Sequence, residues 1–148
     1  GLVAMDRVGT TYEFKNQDPQ VPAQRHGNVN HWIEPAFRPK ALDAFQRYFD
    51  AVPEPRFPLD NPEGGKDTRF VITDVSLEWG GLFDVGKLPW RTPHKAHRTG
   101  RDMDVRSTTL DAERQVFFLT ACGDAHVSCT AEPNPREPNN PPHFHLTP

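Results

Sequence analysis

Apolar positions recur along the chain in two rhythms, one of two residues and one of three to four, and each marks an element. Tyr12 and Phe14 alternate within residues 10–14, a short strand. Over residues 40–52, Ala41, Leu42, Phe45, Phe49 and Val52 fall at spacings of three and four, which predicts a helix with one apolar face. Pro39 suits its first turn, and Pro53 and Pro55 stop it. Residues 70–77 read as a strand with Val71, Thr73, Val75 and Leu77 on one face, ended by Gly80-Gly81. Residues 102–106 form another strand. Residues 109–121 read as a helix with Leu110, Val116, Phe117 and Leu119 as its apolar positions and Gly123 just beyond its end. Residues 143–146 make a final short strand. Residues 17–30, 57–67 and 131–142 carry prolines and glycines and read as loops.

Strands interspersed with two helices, without regular βαβ alternation, predict an α+β fold: a small antiparallel sheet flanked by helices, with long Pro-rich loops. The 148 residues suffice for a single domain over 1–148 with its own core. The hydrophobic fraction is 35%, so that core is modest, and the ten Phe and three Trp supply much of its area. Sixteen prolines, about twice the usual share, point to ordered loops rather than a bundle.

A net charge of −3 and the lack of a basic tract exclude nucleic acid as an expected partner. No stretch approaches the roughly 20 apolar residues that span a bilayer, so no membrane insertion is expected. Cys122 and Cys129 lie seven positions apart. They read either as a disulfide closing a small loop or as two buried thiols; a disulfide points to an exported, periplasmic or extracellular protein.

Histidines crowd two segments, residues 94–104 (His94-Lys95-Ala96-His97-Arg98-Thr99-Gly100-Arg101-Asp102-Met103-Asp104) and His143-Phe144-His145. On a strand, His143 and His145 share one face, roughly 7 Å apart, while Phe144 and Leu146 anchor the other in the core. Around Asp104 the same alternation sends Met103 and Val105 inward and Asp102, Asp104 and Arg106 outward. Gly100 permits a tight turn that folds His97 back over Asp104. His97, Asp104 and His145 then make two imidazoles and a carboxylate, a donor set that suits one Zn2+ and leaves its fourth position to water. Bound zinc lowers the pKa of that water and polarises a carbonyl, and His143 is the candidate general base. The chemistry expected is hydrolysis of a peptide bond.

Three blocks carry a resemblance. Asp74-Val75-Ser76-Leu77-Glu78-Trp79-Gly80-Gly81, the His94–Val105 block and His143-Phe144-His145-Leu146 resemble, in this order, the signature blocks of the LAS-type zinc peptidases. Among these they are most similar to the penicillin-insensitive murein endopeptidases. The match covers residues 70–146; residues 1–69 are not placed by it. The resemblance implies the same zinc ligands and base, a small antiparallel sheet flanked by helices, and bacterial peptidoglycan peptides as substrate. It departs from the pattern at Lys95, where a serine is common, and at Asn140, where a further polar residue or histidine often stands. A second reading keeps the zinc fold without catalysis, as a recognition module similar to the signalling domain of Hedgehog proteins; a third is a structural domain without metal.

Several residues are candidates for the site's surroundings. His94 either lines the site or is an exposed loop histidine. Arg98 and Arg101 either hold a substrate carboxylate or the oxyanion, or are solvated. Asp102, one strand step from Asp104, is a candidate partner for a ligand. Ser76 could fix the sheet end beside the site. His31-Trp32 is either a cleft wall or a packed aromatic pair. Glu34, Glu78 and Asp84 have no assigned place, and His26 and His126 have no companion spacing.

Overall fold

The computed structural model describes residues 1–15, 30–76, 99–132 and 142–148. In chain order the elements are β1 (Val3–Ala4), β2 (Tyr12–Phe14), β3 (Trp32–Ile33), α1 (Phe37–Ala51), β4 (Phe70–Asp74), β5 (Met103–Arg106), α2 (Ala112–Asp124), β6 (Ser128–Glu132) and β7 (His143–Thr147). Five strands form one sheet in the order β2-β4-β5-β7-β6, and β1 and β3 pair separately as an antiparallel ribbon. The fold is α+β, as the two rhythms of the sequence predict. The sheet is mixed rather than antiparallel, because β2 pairs parallel with β4. The chain between them passes through β3 and α1, and only such a crossover lets two parallel strands lie side by side.

Both helices pack against the sheet through one shared aromatic core. Phe45 of α1 stacks on Phe70 of β4 with ring centroids 4.9 Å apart. Phe118 of α2 lies 4.5 Å from Phe70 and 4.9 Å from Phe144 of β7. These rings join Ile72, Met103, Val105 and Leu146 in one buried core cluster. Aromatic contacts of this kind add to the area they bury, which is how a chain of low hydropathy fills its core. The opposite face of β5 and β7 carries Asp104, Arg106, His143 and His145.

The second helix departs from expectation. It spans Ala112–Asp124 and so contains Gly123, and Asp111 caps it by accepting from the Arg114 amide at 3.0 Å. Its buried positions are Phe118, Ala121 and Cys122, whereas Val116 and Phe117 are 63% and 42% exposed. Two small residues complete the inward stripe, and the large apolar neighbours point to solvent.

Residues 70–77 also differ in facing. Phe70 and Ile72 join the core, and the register with β5 slips between Ile72 and Asp74. Ile72 pairs with Val105 but Asp74 pairs with Asp104, so Thr73 is an extra residue, a β-bulge. Part of the segment expected to be loop, residues 131–142, belongs to β6, an edge strand paired antiparallel with β7. The remainder of that segment lies largely outside the described residues, as do most of 17–30 and all of 77–98. No helix among the described residues is long and apolar enough to cross a membrane.

Candidate metal centre

Cross-strand pairing builds the site. β5 and β7 run antiparallel with Met103 opposite Leu146, Asp104 opposite His145, Val105 opposite Phe144 and Arg106 opposite His143. Directly opposed residues share a face of the sheet. Met103, Val105, Phe144 and Leu146 are wholly buried beneath the helices, which obliges Asp104, Arg106, His143 and His145 to stand on the other face. The pairing of β6 with β7 adds Thr130 beside His145 and Glu132 beside His143. The bulge in β4 brings Asp74 opposite Asp104. One row across the sheet therefore reads Asp74, Asp104, His145, Thr130, and the next reads Arg106, His143, Glu132.

Distances within these rows are short. His145 Nδ1 lies 3.0 Å from Asp104 Oδ1, and His145 Nε2 lies 2.9 Å from Asp102 Oδ1. His143 Nε2 is 3.7 Å from the same Asp104 oxygen and 3.2 Å from Glu132 Oε2. The side chains of Asp102, Asp104, His143 and His145 are each between 11% and 23% exposed, so the cluster is sheltered without being sealed. The hydrogen bond to Asp102, then that to Asp104, push the His145 imidazole up from 6.5 to about 10; burial opposes them and loses.

Imidazole nitrogen and carboxylate oxygen are donor types that zinc takes. Two ligand atoms on a tetrahedral zinc, each bonded at about 2.0–2.1 Å, lie about 3.3 Å apart. The 3.0 Å between His145 Nδ1 and Asp104 Oδ1 is close to that separation. His97, the third expected ligand, lies outside the described residues, and so do His94 and Arg98. Among the described residues there is no group of three His, Cys, Asp or Glu side chains placed to hold a metal. The described part of the centre is thus a pair of ligand candidates, with His143 beside them.

The N-terminal half supports this centre. Gly100, in the turn between His97 and Asp104, has φ +67°, a left-handed conformation that favours glycine. A Cβ added there would stand 2.7 Å from Leu2 Cδ2 and 2.9 Å from the Glu34 amide nitrogen. That amide donates to the Gly100 carbonyl at 2.9 Å, and Arg101 lies 3.3 Å from the Glu34 carboxylate in an exposed ion pair. Glu34, without a place in the sequence reading, thereby clasps the turn. Ser76 is fully buried past the end of β4, and its carbonyl accepts from the Trp32 amide at 3.1 Å. His31 packs edge-on against Phe14 and beside Trp32. His126, in the turn after α2, has φ 58° and lies apart in the chain from these rows.

Two residues near the centre, Asp74 and Glu132, were missed in the sequence, and the partners of a third, Arg106, were not foreseen. Asp74 is almost buried and takes a hydrogen bond from Asn30 Nδ2 at 3.3 Å. It sat in a recognised block, but only the bulge turns it to this face. Glu132 reaches His143 through a pairing that no spacing in the chain foretells. Arg106 is drawn to the loop before β4: its guanidinium meets Glu63 at 2.6 Å and the nearly buried Asp67 at 3.4 Å. Burial alone would raise the Glu63 carboxyl, but hydrogen bonds and charge from Lys15 and Arg106 outweigh it and hold the carboxyl below its ordinary value.

Cys122 and Cys129 are both free thiols, so the expected disulfide is not formed in this structure. Cys129 pairs with Leu146 across β6 and β7 and so faces the helices, where it is hydrogen-bonded to Cys122. That bond and burial raise the Cys122 thiol well above its ordinary pKa.

Compared with known proteins, the chain matches no family model, no curated protein sequence and no solved structure.

Proposed function

We propose that the chain is a zinc-dependent peptidase, with His97, Asp104 and His145 as ligands and His143 as general base. The observation that carries this reading is the convergence of His145 Nδ1 and His143 Nε2, 3.0 and 3.7 Å away, on one oxygen of Asp104. Two imidazoles from one strand meeting a carboxylate from its neighbour give a ligand pair with a base two residues away. Zinc held there would polarise the scissile carbonyl and acidify a water. His143 takes a proton from the attacking water as the C–O bond forms, and returns it to the leaving amine as the C–N bond breaks. Asp104 Oδ1 lies near both imidazoles, which puts the base beside the ligand pair. Peptidoglycan peptides as substrate, and an exported location, rest on the resemblance of the three sequence blocks alone.

The test uses the whole chain loaded with zinc and purified peptidoglycan, with released fragments read by mass spectrometry. Fragments sharing one new terminus, and lost on chelation, are expected. His143→Ala should abolish release while the variant still carries zinc, whereas His97→Ala and His145→Ala should lose the metal. Loss of zinc from His143→Ala would make His143 a ligand and overturn its assignment as base. Stoichiometric zinc without any cleavage of peptidoglycan or of a peptide library would overturn the peptidase and leave the recognition module.

A further inference from the structure

The imidazole of His145 is bracketed by two carboxylates, Asp104 of β5 and Asp102 just before that strand. Asp102 and Asp104 are two residues apart, and both reach the same ring. The ring fits between them, Nε2 at 2.9 Å from Asp102 Oδ1 and Nδ1 at 3.0 Å from Asp104 Oδ1. A carboxylate only accepts hydrogen bonds, and a neutral imidazole has one N–H and one lone pair. A neutral ring therefore satisfies one carboxylate and turns a lone pair on the other. For a neutral ring that second contact, at 3.0 Å, is repulsive; it becomes favourable when both nitrogens carry protons or when a metal cation stands between the two donors.

The two carboxylates are not equivalent. Asp104 Oδ1 is also approached by His143 Nε2, at 3.7 Å, and lies in the row that Asp74 and Thr130 complete. Asp102 stands at the other end of the ring. The zinc reading makes Asp104 a ligand, so the nitrogen beside it, Nδ1, carries the lone pair and Nε2 carries the N–H towards Asp102.

We propose that Asp102 is a positioning residue for the metal centre: by accepting the His145 Nε2–H it fixes the ring tautomer and leaves Nδ1 as the ligating nitrogen beside Asp104. The inference rests on the zinc reading above and adds to it the atom that binds and the residue that selects it. Hydrogen-bonded partners of metal-bound histidines hold ring orientation in this way, and their loss lowers metal affinity roughly 10–100-fold.

Zinc affinity, measured by competition with a chromogenic chelator, tests the proposal without recourse to activity. Asp102→Ala should weaken binding roughly 10–100-fold. Asp102→Asn, whose Oδ1 still accepts from Nε2–H, should recover most of that loss. Long-range 1H–15N spectra of the zinc-loaded wild type should show His145 with its proton on Nε2 and none on Nδ1, a readout that does not depend on the variants folding. Asp102→Ala binding zinc as tightly as the wild type, or a wild-type spectrum with the proton on Nδ1, would overturn the positioning role while leaving the zinc site standing. Wild-type protein that takes up no zinc would overturn both.

Discussion

Raising the pH should destabilise the metal-free chain through His145. Its folded-state pKa is about 10, against 6.5 for an unperturbed imidazole. Below 6.5 the ring is protonated whether the chain is folded or not, and its bonds to Asp102 and Asp104 contribute in full. Between 6.5 and about 10 the unfolded chain has released this proton while the folded chain keeps it. Folding then carries proton uptake, and stability falls as pH rises. Above about 10 the contribution is gone. A separation of about 3.5 pH units corresponds to about 5 kcal/mol if taken at full weight. The His145 side chain is 23% exposed and both partners touch solvent, so screening reduces this to roughly 2 kcal/mol.

Urea unfolding in the presence of a chelator, on wild type and His145→Gln, separates this group from every other that titrates. The stability difference between the two should shrink by roughly 2 kcal/mol from about pH 6 to about pH 10.5. With zinc present the sign reverses: protons and metal compete for His145, so the stabilisation conferred by zinc grows as pH rises. A wild-type-minus-variant difference that stays flat across the window would show that the two carboxylates do not hold the proton, and the account of the charged cluster would fail with it.

Two further perturbations probe what surrounds the centre. Gly100→Ala places a methyl against the Glu34 amide at a positive φ and should cost about 1–3 kcal/mol in urea unfolding; unchanged stability would refute the close approach of the two segments. Incubation with oxidised glutathione should join Cys122 to Cys129 with release of two glutathione thiols, and the eight-residue loop should then add about 2.5 kcal/mol. Mass spectrometry reads the bond, and Cys129→Ser should abolish the gain. Oxidation without stabilisation would mean that the bond strains the contact between α2 and β6.

How much of this was legible in the sequence depended on whether one strand face was buried. At Met103 to Arg106 and His143 to Leu146 large apolar residues alternate with polar ones, so a single period-two reading placed Asp104, His143 and His145 together on one face before any pairing was known. At β4 the same reading failed. Phe70, Val71, Ile72 and Val75 are all buried, so alternation carried no information about facing, and the bulge at Thr73 reversed it for Asp74. Strand β6 failed for the opposite reason: Ser128–Glu132 is an edge strand without a fully buried residue, so it had no periodic signal, and Glu132 stayed out of sight. In α2 the inward stripe of Phe118, Ala121 and Cys122 was masked by Val116 and Phe117, larger residues turned to solvent. The candidate centre was therefore visible where it rests on the two central strands, and hidden where it depends on a bulge or an edge. Asp74 and Glu132, the acidic residues that flank Asp104 and His143 in the sheet, are reached only through those two irregularities.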